Sequence, residues 1–196
     1  MTRRILLIFA ALLLVAAGLA FYALHLRNRV AQEERMMAEQ AQVVFPPASG
    51  PTTSVTLYVA SDSSGTLSRV QENIALPQER SERARTILRA LLNKYLQSDS
   101  PHPLGKGSDV RDVFLLGSDT AVVDTSPAFA DAHPAGVLVE ELTIASIVNT
   151  LNANDQQITR VKILVDGKER DTLAGHADLR RFYQVNGIGQ MMKEVQ

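Results

Sequence analysis

The chain has 196 residues, 45% hydrophobic and 21% charged, with net charge −1. This globular composition leaves room for about one ordinary domain beside a membrane segment and a linker. There is no cysteine, which excludes disulfides, thiolate metal sites, a Cys nucleophile and a lipid-bearing cysteine.

Ile5 to Leu24 is an uncharged run preceded by Arg3 and Arg4 and followed by His25, Arg27 and Arg29. As a helix, about 20 such residues span the roughly 30 Å of a bilayer core. The run outlasts the apolar region of a cleaved signal peptide and continues past the small-residue site Gly18-Leu19-Ala20. Residues 1–26 are therefore expected to be an N-terminal transmembrane anchor. Arginines are nearly balanced across it, so orientation rests on the short tail before it. That tail stays in the cytoplasm and places the domain outside.

Residues 27–42 favour a polar juxtamembrane helix, and Pro46-Pro47-Ala48-Ser49-Gly50-Pro51 can hold neither a helix nor a central strand. Residues 27–53 are read as juxtamembrane helix and linker, 54–183 as the folded domain and 184–196 as a flexible tail.

Within the domain, Val55 to Ala60 alternates like a strand. Ser61 to Gly65 is a turn, and Leu67 to Leu76 is a second strand candidate ending at Pro77. Ala84, Ile87, Leu88, Leu91, Leu92, Tyr95 and Leu96 repeat at helical spacing, with Ser81 as the expected N-cap. Residues 98–108 form a loop. Val110 to Leu116 and Thr120 to Asp124 make a hairpin. Ser126 to Gly136 reads as irregular.

Val137 to Leu151 is a second helix, whose broad apolar face predicts deep burial. Ile158 to Val165 alternates, Asp166-Gly167 turns, and Lys168 to Leu173 returns as a strand. Residues 178–183 could add a helical turn. The expected fold is α+β, a two-layer sandwich with a mixed or antiparallel sheet and two helices on one face.

Four segments in this order resemble the GerM domain of bacterial sporulation, germination and other envelope proteins. They are VTLYVAS (55–61), AVVDTS (121–126), IVNTL (147–151) and VKILVDGKERDTLAGH (161–176). The resemblance covers about 54–180. It implies a compact domain on the outer side of a bacterial membrane, here the inner membrane crossed once. It also implies action by assembly rather than catalysis, as in ring-building domains of secretion and sporulation complexes. The chain carries one such domain, where sporulation GerM carries two, so a role in sporulation is not implied.

The motif residues Asp124, Thr150, Asp166, Gly167 and Gly175 read as structural. Asp166-Gly167 suits a tight turn, Gly175 allows an unusual backbone angle, Thr150 could bond back at a helix end, and Asp124 could accept backbone N–H bonds.

Asp124-Thr125-Ser126 after an apolar strand also fits the loop of an aspartic protease, in which two aspartates share a proton. Pro127 and the two long helices speak against that alternative. The histidines at 25, 102, 133 and 176 form no metal-ligand spacing, and His133 is expected to pair with Asp131. No catalytic, cofactor-binding or metal-binding residue is assigned.

Residues 54–186 carry 14 Lys and Arg against 17 Asp and Glu, and there is no Trp. Without a positive field, nucleic acid is not an expected partner. Expected partners are the membrane, through the N-terminal helix, and envelope proteins or a second copy. A cell-wall glycan or small ligand is the alternative, held between loop 98–108 and segment 126–136.

Overall fold

The computed structural model describes residues 52–194, and the expected anchor and most of the linker lie outside them. Among the described residues, no helix is long and apolar enough to cross a membrane. The architecture is α+β, but with two sheets where one was expected. Strands β1 (Thr52–Ser61) and β2 (Thr66–Ala75) form an antiparallel pair of their own. Strands β3 (Val110–Leu116), β4 (Thr120–Thr125), β5 (Arg160–Val165) and β6 (Tyr183–Gln184) form the second sheet in that order. β3–β4 and β5–β6 are antiparallel, whereas β4–β5 is parallel.

Helix α1 (Arg80–Tyr95) buries the apolar stripe read from the sequence except Leu96, which caps the helix and is exposed. Its N-cap is Glu79, not Ser81. The Glu79 carboxylate accepts from the backbone N–H groups of Ser81 and Glu82 at 3.0 and 2.7 Å. A side chain one carbon longer than Asp serves here because the Ser81 hydroxyl also donates to it. The segment read as irregular contains the short helix α2 (Pro127–Asp131), started by a proline that needs no N–H partner in the first turn.

Helix α3 (Val137–Asn154) runs three residues beyond the predicted end. Every residue from Leu142 to Val148 is buried, so the helix is a central core element and not a surface layer. It packs mainly on β1, and α1 packs on β3 and β1.

The return strand at 168–173 does not form. After the Asp166-Gly167 turn only one bridge, Val165 with Lys168, continues the ladder. The chain then leaves the sheet, and β6 takes that edge of β5 through Val161–Tyr183 and Arg160–Gln184. The expected helical turn at 178–183 is only a turn at 179–180 after the bridge of Asp178 with Thr172, and Tyr183 already belongs to β6. The expected loose tail is helix α4 (Val185–Glu194), with Ile188 buried in the core.

Candidate functional site

Three of the five motif residues meet at one end of the parallel pair. The Asp124 carboxylate, on β4, accepts from the Gly167 N–H at 2.6 Å. Asp166 and Gly167 have φ of 54° and 70°, a turn with positive φ at both central positions. Arg111 on β3 pairs with Asp166 and lies 3.9 Å from Asp124. The two carboxylates therefore face a guanidinium and a backbone amide. A proton-sharing aspartate dyad needs the carboxylates facing each other.

Thr150 does not bond back along its own helix end. Its Oγ1 accepts from the Tyr58 N–H on β1 at 2.9 Å. It belongs to a row of side chains that occupies the inner edge of β1. The Asn154 amide pairs with both backbone groups of Thr56, accepting at 3.0 Å and donating at 2.7 Å. The Tyr95 hydroxyl accepts from the Ala60 N–H at 2.9 Å. Burial pushes the Tyr95 phenol up to about 12, so it keeps its proton. Side chains from α1 and α3 thus stand where a neighbouring strand would be, and the ladder stops at two strands.

Gly175, with φ 123°, sits in a loop wrapped around Glu140, a residue that the sequence reading missed. The fully buried Glu140 carboxylate accepts from the backbone N–H groups of Ala174, His176 and Ala177 at 3.0, 2.9 and 2.8 Å. Its other oxygen accepts from the Gly136 N–H at 3.2 Å and contacts His176 Nδ1 at 2.7 Å. Burial pushes this carboxyl up, but the His176 and backbone bonds outweigh it and hold it at about 2. The sequence does contain a signal, the two charges Glu140 and Glu141 inside the apolar run Val137 to Val148.

The histidine readings change most. Asp131 pairs with Arg170 at 2.6 Å, not with His133. Instead His102 and His133 both turn Nε2 to the buried Thr143 hydroxyl, at 2.7 and 2.8 Å. His102 Nδ1 meets Asp62 at 2.5 Å, and His133 Nδ1 meets the Pro134 carbonyl at 2.7 Å. Burial pushes both rings down, and Asp62 pulls His102 partly back.

The loop and segment suggested as pocket walls therefore meet over Thr143. They also touch at Gly105, where a Cβ would lie 2.3 Å from that of Ala132. Gly105→Ala is accordingly expected to cost about 1–3 kcal/mol, or more if the loop cannot shift. The urea midpoint measures this, and an unchanged midpoint would show that the contact yields freely. Among the described residues, no cluster of His, Cys, Asp and Glu has metal-binding geometry.

A family model described as Germane, sporulation and spore germination, matches residues 56–171. The chain belongs to this family. The Germane match contains Asp124, Thr150, Asp166 and Gly167, the Glu140 carboxylate and the His102–Thr143–His133 cluster, and it ends before Gly175. Among curated proteins, none matches.

Solved structures similar to this Germane chain include a presumptive lipoprotein from Clostridium perfringens, at 19% identity and TM-score 0.49 over 71% of this chain and 92% of that one. The first GerMN domain of Bacillus subtilis GerM is similar at 19% identity and TM-score 0.47, covering 65% and 93%. The tandem GerMN domains of that protein are similar at 21% identity and TM-score 0.47, covering 65% and 44%.

Proposed function

We propose that this chain is a non-enzymatic, membrane-anchored module of the bacterial cell envelope that works through protein contacts outside the inner membrane. The observation that carries the reading is membership of the Germane family over residues 56–171. The described polar clusters are consistent with it. Asp124, Asp166, Gly167, Thr150 and Gly175 each serve a turn, a strand edge or a wrapped loop. We assign all five structural roles on that basis.

The anchor is residues 1–26, from the uncharged run Ile5 to Leu24 and its flanking arginines. A protein contact would have apolar surface to cover. Phe114 and Leu116, two residues apart on the edge strand β3, are 50% and 55% exposed. Isolated exposed apolar residues are ordinary, but a pair on an unpaired edge suits an interface.

In-cell crosslinking of the full-length chain tests the reading. Discrete adducts with envelope proteins, or a ladder of self-multimers, are expected. They should weaken in Phe114→Ser/Leu116→Ser, a change on exposed positions that leaves the core intact. A chain that stays monomeric and captures nothing would defeat the proposal.

A further inference from the structure

Thr143 stands between two histidines that cannot both be satisfied by its hydroxyl. His102 Nδ1 faces the Asp62 carboxylate, so it must carry a proton. His133 Nδ1 faces the Pro134 carbonyl, so it must carry one as well. A neutral imidazole has one N–H, which leaves each Nε2 as a bare lone pair aimed at Thr143 Oγ1. The hydroxyl has a single proton. Four contacts each need a proton, and two neutral rings and one hydroxyl supply three. The Thr143 contact with the Val139 carbonyl, at 3.2 Å, makes the shortage greater if the hydroxyl proton turns that way.

We propose that Asp62, His102, Thr143 and His133 form a buried site for one shared proton, which clamps the β1–β2 turn and the two histidine-bearing segments onto α3. When the site is filled, one ring is an imidazolium. With the proton on His102, that ring donates to Asp62 and to Thr143, Thr143 donates to His133 Nε2, and His133 donates to Pro134. All four contacts are then made. When the site is empty, one Nε2 faces the Thr143 oxygen lone pair to lone pair. Each Nδ1 already holds a proton, so the added proton goes to an Nε2, and the Asp62 carboxylate beside the enclosed His102 ring balances its charge.

Burial opposes a positive charge on either ring, and nearby carboxylates offset that in part for one proton but not for two. The charged groups on the pair are Asp62 from the β1–β2 turn and Glu140 one turn earlier on α3, and both attract a proton. Each ring opposes a second positive charge on the other, with centroids 6.3 Å apart. Tyr95 from α1 meets His102 edge-on at 4.7 Å, and Phe129 from α2 lies 6.1 Å from His133. Neither carries charge. His176 contacts Glu140 at its Oε1. The two rings therefore titrate as one coupled unit.

The test is an acid titration of the full-length chain labelled with ¹⁵N-histidine, read by two-bond ¹H–¹⁵N correlation. Only four histidines contribute, and His25 and His176 are removed from the spectrum by H25Q and H176Q. At pH 8 both buried rings should carry Nδ1–H, the minor tautomer in water. On acidification the two Nε2 signals should move together at one midpoint, with one proton taken up between them. Thr143→Ser should keep this behaviour, and Thr143→Val should abolish the common midpoint. The wild-type titration decides alone if the valine variant does not fold. An Nε2–H tautomer on either ring at pH 8 would overturn the proposal. So would two separate complete titrations, or no uptake before the chain unfolds.

Discussion

Glu140→Ala is expected to cost about 3–5 kcal/mol, since each buried N–H left without an acceptor costs about 1–3 kcal/mol, and to leave the domain near its unfolding threshold. The substitution strips the acceptor from the N–H groups of Gly136, Ala174, His176 and Ala177 at once. A loop closed around nothing cannot stay closed, so the amides of 174–177 should also lose hydrogen-exchange protection.

Glu140→Gln should cost less, about 2 kcal/mol, within the range for a hydrogen bond to a charged group. One amide oxygen can still serve three N–H donors, but the NH₂ group then faces the Gly136 N–H.

The sign of the pH dependence separates charge from shape. The carboxyl is held at about 2 in the folded chain against 4.5 for the free group. Its contribution is fully present above pH 4.5 and is lost as pH falls from there towards 2. Each unit is worth about 1.4 kcal/mol. The gap between wild type and Glu140→Gln should therefore narrow by about 2 kcal/mol between pH 7 and pH 3. Urea unfolding at both values measures it. A gap that stays constant would mean that the carboxylate acts by packing alone.

Local periodicity made α1, the β3–β4 hairpin, the body of α3 and β5 legible, because each buries a face that repeats along the chain. The Asp166-Gly167 turn was legible from its chemistry. The Glu140 loop was not, because the carboxylate and the loop N–H groups it holds lie 34 to 37 residues apart and nothing local marks the pairing. That same capture accounts for the missing strand at 168–173, since the chain leaves β5 to reach Glu140.

Strand β6 is two residues long and shows no alternation, and α4 begins with two glycines in five residues, which masks a helix. The histidine cluster was invisible for the same reason as Glu140. His102 and His133 are ordinary loop residues until the fold brings both to Thr143.

The separation into two sheets depends on the row of side chains along β1, and it yields the second large effect. Asn154→Ala should cost about 2–3 kcal/mol, because both backbone groups of the mostly buried Thr56 lose their partner. Thr150→Val and Tyr95→Phe should each cost about 1–2 kcal/mol, by orphaning the N–H groups of Tyr58 and Ala60. Thr150→Ser should be close to neutral, since it keeps the acceptor.

Stability loss is half of the expectation. An unsealed β1 edge exposes unpaired N–H and C=O groups, which are a template for another strand. The Asn154→Ala/Thr150→Val double variant should therefore associate beyond the wild type at concentrations where Leu57→Ala, destabilised by a core cavity instead, does not. Light scattering at matched fractions of unfolded chain separates the two cases. Equal association would mean that exposure of the core, and not the opened edge, drives it.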